Sequence, residues 1–366
     1  MKSRNLIYES DASQIKGKAK KIIITNDLNV VCREVKSNSN ITPRGGGSGL
    51  VGGAVSNEGI IIDLSKFDKI IDFDEREKTI EVEAGMIIED LNNFLENYKL
   101  EFPIIPTSEG FCTIGGAIAT DAVGIKNLKY GKIIKWVNSI EIINANGKIQ
   151  KKSKSELSDF IGLEGITGII SKVNLNLTEK KNTNFHLIKV NNVESLNDSI
   201  KKLKSSSNVT YIGFLDKQIS AILGLEDKYH LFIEYETETK SDKDYKKIIL
   251  LRKNPLMLLT KDFVKIEDVR MFPDKFSELL TWFEQNNIPL FADIGSNITH
   301  PFFYKEQLNK IHEMMIVLKR LRGNIRGMYG IGLIKKGQLD NFDLNLYQSI
   351  KKRNDPKNKF NPGKII

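Results

Sequence analysis

Residues 106–131 read PTSEGFCTIGGAIATDAVGIKNLKYG. The pair Gly115-Gly116 follows apolar residues, Ala119-Thr120 is small and then polar, and Tyr130-Gly131 closes the segment. Upstream, residues 42–53 read TPRGGGSGLVGG, with six glycines in twelve positions. A backbone approaches a diphosphate closely only where side chains are absent, and glycine reaches the conformations that turn successive N–H groups inward. Arg44 to Leu50 therefore reads as an anion cradle. A flexible linker would be flanked by Ser, Pro and polar residues, whereas this loop lies between the apolar segments ITP and GIIIDLS. No Gly-Lys-Ser/Thr follows, so it is not a P-loop. The spacing G-x-G-x-x-G falls on Gly47, Gly49 and Gly52, but a strand pattern follows where a dinucleotide fingerprint needs a helix. A third glycine-spaced stretch, GLEGITGIISKVNLNL at 162–177, carries Gly162, Gly165 and Gly168.

Around these loops the chain has the composition of a globular protein. Its 366 residues, 40% of them apolar, suffice for about two domains. No apolar run reaches membrane-spanning length, and the start, MKSRNLIYESDASQ, has no apolar signal core, so a cytoplasmic location is expected. Cys32 and Cys112 share no spacing pattern and read as free thiols. The net charge of +9 is scattered through Lys-rich clusters without aromatic interleaving, which argues against nucleic acid. KKIIIT and ITP read as short strands around an amphipathic helix, NDLNVVCREVKSN. GIIIDLS and TIEVEAGM read as strands and IIEDLNNFLENYK as a helix. The polar stretch TEKKNTN at 178–184 marks a boundary, after which strand–helix–strand units follow, such as HLIKVNNVESLNDSIKKLKSS and YHLFIEYETETKSDKDYKKIILLRKN.

Four motifs in order, PRGGGSGLVGGA, PTSEGFCTIGGAIATDAVGIKNLKYG, GLEGITGII and the terminal DPKNKFNPGKII, resemble the FAD-binding oxidoreductases of the vanillyl-alcohol oxidase (PCMH-type) superfamily. Within it the chain resembles the D-lactate and glycolate dehydrogenase branch. The resemblance implies an α+β fold: a PCMH-type FAD-binding domain of two α+β subdomains over 1–180, an α/β (ferredoxin-like) substrate cap over 181–340, and a C-terminal segment, 341–366, that returns to the FAD domain. It implies that Arg44, Gly45, Gly46, Gly47, Ser48, Gly49 and Leu50 hold the FAD diphosphate. Pro106, Thr113, Gly115, Gly116, Ala119, Thr120, Gly124 and Tyr130 would line the second flavin segment. Gly165, Gly168, Ile169 and Ile170 would lie on the adenine side, with Asn361 in the returning tail. Some relatives attach flavin to a His in the glycine loop. Ser48 stands there instead and no His precedes His186, so the expected FAD is non-covalent.

The later half departs from the family pattern. FADIGSNITHPFF at 291–303 resembles the metal stretch His-x-Gly-Asp-Gly-Asn-Leu-His-Pro, with His300 on the final His, Asp293 on the first His and Ser296 on the Asp. GMYGIGLIKK at 327–336 resembles Gly-Glu-His-Gly-Ile-Gly-Leu, with Met328 for the metal-binding Glu and Tyr329 for the catalytic His. Two surviving ligands seldom hold a divalent ion, so no metal is expected. His300 is the candidate base and Tyr329 a second catalytic candidate. Arg252 in LRKNP and Lys265 in FVKIEDV stand where relatives bind the substrate carboxylate. The resemblance thus implies oxidation of a 2-hydroxy acid such as D-lactate or glycolate, with a quinone, an electron-transfer protein or oxygen as acceptor and at most peripheral association with the inner membrane face. The alternative is the FAD-binding subunit of a multi-component dehydrogenase, active only with a partner subunit.

Overall fold

The computed structural model describes residues 6–238, 246–253 and 263–366. The expected strand–helix unit YHLFIEYETETKSDKDYKKIILLRKN lies partly outside them, at 239–245 and 254. The chain divides into two compact units. The first comprises 1–123, 132–180 and 329–366, and the second 124–131 and 181–328. Residues 329–340 thus belong with the first unit and 124–131, including Gly124 and Tyr130, with the second.

In the first unit, strands Lys21–Ile24, Ile60–Asp63 and Ile41–Arg44 form a parallel sheet with Ile60–Asp63 in the middle. Parallel neighbours need a crossover, and helix Leu28–Ser37 supplies it. That helix starts where the Asp27 side chain accepts the N–H of Asn29, and it buries Val31 and Val35, one turn apart. A second, antiparallel sheet runs in the order Ile70–Asp74, Thr79–Glu83, Ile169–Asn176, Val137–Ile143, Ile149–Ser153. Ile80 and Val82 alternate inward along it, which fixes its register. The tail joins the parallel sheet: Ile41 donates its N–H to Lys359 O at 2.8 Å, and Asn361 donates to Ile41 O at 2.8 Å.

In the second unit an antiparallel sheet runs Thr183–Val190, Tyr229–Glu236, Val209–Leu215, Leu290–Asp293, Ile298–Tyr304, Phe263–Ile266, with Val269–Arg270 also pairing with Ile298–Tyr304. Alternation along Val209–Leu215 separates two cores. Ile212 and Phe214 pack with Leu196, Leu279 and Met314 of helices Val193–Lys204, Phe276–Gln285 and Lys310–Arg320. Tyr211 and Leu215 pack with Ile219, Ile248 and Leu251 of helices Lys217–Ile222 and Lys246–Lys253. Among the described residues no helix is long and apolar enough to cross a membrane.

Candidate functional site

The two glycine-rich stretches of the first unit lie against each other. A Cβ on Gly45 would stand 2.2 Å from Thr113 Oγ1, and one on Gly46 would stand 1.7 Å from the carbonyl oxygen of Phe111. Gly47 has φ +67°, the left-handed region that glycine adopts freely. Among the described residues, the N–H groups of Gly46, Gly47, Ser48 and Gly49 find no acceptor within the protein. A Cβ on Gly49 would meet nothing within 4 Å, so the loop opens to space there. Uncommitted N–H groups on a loop without side chains are what a diphosphate requires. The Arg44 side chain does something else. Its guanidinium donates to Ile7 O, Ser10 O and Ala54 O at 3.0–3.2 Å, and so braces both ends of the loop from behind. Leu50 continues the loop.

On the second stretch, the Thr113 side chain accepts the N–H of Gly116 at 3.1 Å and caps the short helix Ile114–Ala119. Thr120 Oγ1 donates to Gly116 O at 2.9 Å, and Pro106 O accepts the Glu109 N–H at 3.1 Å. Gly115 is required by packing: its Cβ would lie 2.9 Å from Ala84 O, to which its own N–H donates. Burial pushes the Cys112 thiol up to about 11, and hydrogen bonds with Ser48 and Ser108 act in the opposite direction. Ser48 therefore ties the cradle to the second stretch. Ala119 O accepts the Glu164 N–H. Gly165 has φ +73°, and a Cβ there would lie 3.4 Å from Asn361 Nδ2. At Gly168 it would lie 3.3 Å from Ile143 O, and Ile169 and Ile170 pair with Ile143 and Ile142 in the sheet.

The second unit holds the remaining candidates except Tyr329. Gly124 O accepts the N–H of Asn127, and Tyr130 OH donates to Glu236 at 2.5 Å. His300 is buried on strand Ile298–Tyr304, its ring stacked on Phe291 at 5.8 Å between centroids. Arg252 Nη1 donates to Glu234 at 3.1 Å, and both side chains are only 4% exposed. The Tyr211 ring lies 4.6 Å from the Arg252 guanidinium carbon. Lys265 is more open and pairs with Glu267 at 3.2 Å. Burial pushes the Asp293 carboxyl up, opposed by hydrogen bonds from Ser296 and Gly295. Among the described residues no three His, Cys, Asp or Glu side chains cluster as metal ligands would.

Comparison with known proteins identifies the cofactor. The family description "FAD binding domain" matches residues 25–153, and "FAD linked oxidases, C-terminal domain" matches 265–365. The chain is an FAD-linked oxidoreductase. FAD is the cofactor of this oxidoreductase, as expected from the motifs. It is 26% identical to a D-lactate dehydrogenase of Archaeoglobus fulgidus, over 88% of this chain and 85% of that protein. It is 34% identical to a D-2-hydroxyglutarate dehydrogenase of Xanthomonas citri, over 38% of this chain and 32% of that protein. An alkyldihydroxyacetonephosphate synthase structure superposes with a TM-score of 0.72 at 16% identity, over 95% of this chain and 77% of that one, which shows the shared fold. The first unit fits FAD on its own geometry: a loop with room for no side chain at Gly45 and Gly46, and four N–H groups without acceptors among the described residues.

One further residue of the first unit has no signal in the sequence. Glu164, buried with φ +48°, accepts the N–H groups of Ile331 at 2.7 Å and Gly332 at 2.9 Å on its carboxylate. Its own carbonyl accepts Asn361 Nδ2 at 2.7 Å. Next to it, Leu333 donates to Val51 O, and Gly53 O accepts Lys364 Nζ at 2.8 Å. The cradle's far end, the segment after Tyr329 and the tail thus meet at Glu164. Burial pushes Lys364 down to about 7 from its ordinary 10.5. Between these values the unfolded chain binds more protons than the folded one, so stability rises with pH. Above about 9 the raised Cys112 thiol works in the opposite direction. The expected result in urea unfolding is a stability that climbs from pH ~7 to ~9 by at most about 1.4 kcal/mol per pH unit, and a flatter climb in Lys364→Met. An equal slope in the variant would exclude Lys364 as its source.

Proposed function

We propose that this oxidoreductase oxidises a D-2-hydroxy acid to the 2-oxo acid. The observation that carries the reading is a pair of buried donors. Arg252 Nε and Tyr211 OH are buried and without hydrogen-bond partners among the described residues, beside a guanidinium already half-satisfied by Glu234. Buried donors left unpaired are unfavourable, and a substrate carboxylate supplies acceptors for both. The two relatives described above are named for D-2-hydroxy acids of different size.

FAD, when bound, accepts the hydride from the carbon that bears the hydroxyl. His300 is the proposed base: a ring nitrogen takes the hydroxyl proton as the carbonyl forms. Arg252 and Tyr211 fix the carboxylate, with Lys265 as a further cation for it. Tyr329 is the second candidate for proton transfer. The cradle N–H groups of Gly46 to Gly49 hold the diphosphate, while Arg44 holds the loop. A complete turnover would also need an electron acceptor, such as a quinone, an electron-transfer protein or oxygen.

The test is dye-linked turnover with D-lactate, D-2-hydroxyglutarate and glycolate. Tyr211→Phe is expected to raise the half-saturating concentration of the best substrate roughly tenfold and leave FAD content intact, since a hydrogen bond to a charged group is worth about 1.5–3 kcal/mol. An unchanged half-saturating concentration would remove Tyr211 from the site. Dialysis against a chelator is expected to leave the rate unchanged, because Asp293 and Met328 replace two of the family's metal ligands. A rate lost to chelator and restored by a divalent ion would contradict that expectation.

The same replacement, with Tyr329 in the position of the family's His, supports a second reading: an FAD-binding subunit that oxidises substrate only with a partner. It predicts no turnover of any hydroxy acid until the partner is added.

A further inference from the structure

The second unit contains a cavity of about 380 Å³ between helix Val193–Lys204, the start of helix Phe276–Gln285 and strands Leu290–Asp293 and Ile298–Tyr304. The small Ala292 lines it, where the neighbouring core positions Leu290 and Ile294 carry larger side chains. Its walls include Ile200, Met271, Phe276 and Ile298, and its polar lining includes Lys201, Lys204 and Asn297 together with the carboxylates Asp274 and Asp293. The volume lies in the range of small-molecule sites.

We propose that this cavity binds a small apolar monocarboxylate, with its hydrocarbon part among the apolar walls and its carboxylate on Lys204. Lys204 is the last residue of its helix and is half-buried. Among the described residues its only polar contact is Asn297 Oδ1, at a long 3.3 Å, and it forms no ion pair. An ammonium has three donors, so this one retains two without a protein acceptor. Burial pushes its pKa down, with Asp293 the charge that opposes the shift. An ammonium withdrawn from water without a carboxylate in contact is unfavourable unless an anion completes it. Asn297 is held rigidly to receive such a ligand: its backbone is left-handed at φ +59° and its carbonyl accepts the Met271 N–H at 2.9 Å. A dianion such as phosphate is disfavoured, because the Asp274 and Asp293 carboxylates line the same cavity as Lys201 and Lys204 and repel a second negative charge. The apolar walls select a hydrocarbon tail over a small polar acid.

The test uses calorimetric titration of the FAD-loaded protein with sodium octanoate and, separately, octanol. Octanoate is expected to bind with one site per chain and at least tenfold more tightly than octanol, the worth of one charge-assisted hydrogen bond. Lys204→Gln is expected to bring octanoate down to the octanol level while flavin content is retained. Met271→Trp, which fills the cavity, is expected to remove both ligands. No binding of octanoate, equal binding of octanoate and octanol, or octanoate binding that survives either variant would overturn the proposal.

Discussion

Gly46→Val is expected to purify without its yellow colour and to bind added FAD at least a thousandfold more weakly. A Cβ at this position would lie 1.7 Å from the Phe111 carbonyl oxygen, backbone against backbone, so the two glycine-rich stretches must separate. The cradle N–H groups then lose their common aim, and an anion site made of backbone has no side chain to compensate. Gly49→Val separates ligand contact from packing. A Cβ on Gly49 meets no protein atom within 4 Å, so the fold is expected to keep its stability within about 0.5 kcal/mol, the range of ordinary surface substitutions. FAD affinity should nonetheless fall, because the new side chain enters the space to which the free N–H groups open. Flavin fluorescence quenching measures both affinities. Wild-type affinity in Gly49→Val would mean that the diphosphate lies elsewhere.

His300→Gln is expected to lower the rate of flavin reduction by about 10²–10⁴-fold, the usual effect of removing a general base. Gln preserves polarity and much of the volume in a position only 1% exposed, where truncation to Ala would leave a cavity against Phe291. The loss should appear in the limiting rate under single-turnover conditions, with the half-saturating concentration little changed, because the proton is transferred only in the transition state. Tyr211→Phe should show the opposite split. If His300→Gln leaves the rate unchanged, the base is elsewhere, and Tyr329→Phe becomes the decisive variant.

What was legible in the sequence was local. The Ile-rich runs gave Lys21–Ile24 and Ile60–Asp63, and the amphipathic period gave Leu28–Ser37, because period and propensity act over one element. The close approach of the two glycine-rich stretches was legible because glycine is a backbone property, written at the position where it acts. The destinations of long side chains were not. Arg44 reads as an anion ligand beside three glycines, yet three carbonyls from residues 7, 10 and 54 claim its guanidinium. Arg252 reads as a free cation, yet Glu234 on a different element binds one of its arms. Glu164 was passed over because an acid between glycines carries no signal, and its role depends on Ile331 and Gly332, more than 160 residues away. Contacts at such separation depend on the fold that closes them. The short stretch 124–131 illustrates the same limit: the second-stretch motif runs through it unbroken, while its contacts place it with the second unit.

The most direct test of the central claim is anaerobic mixing of the purified protein alone with D-lactate, L-lactate and D-2-hydroxyglutarate while its visible flavin band is recorded. The account predicts that at least one D-2-hydroxy acid bleaches the band completely, that L-lactate does not, and that acid precipitation afterwards leaves FAD in the supernatant and none in the pellet. A band that no D-2-hydroxy acid bleaches until a second protein is added would contradict the claim and leave this chain as the flavin-binding subunit of a larger dehydrogenase.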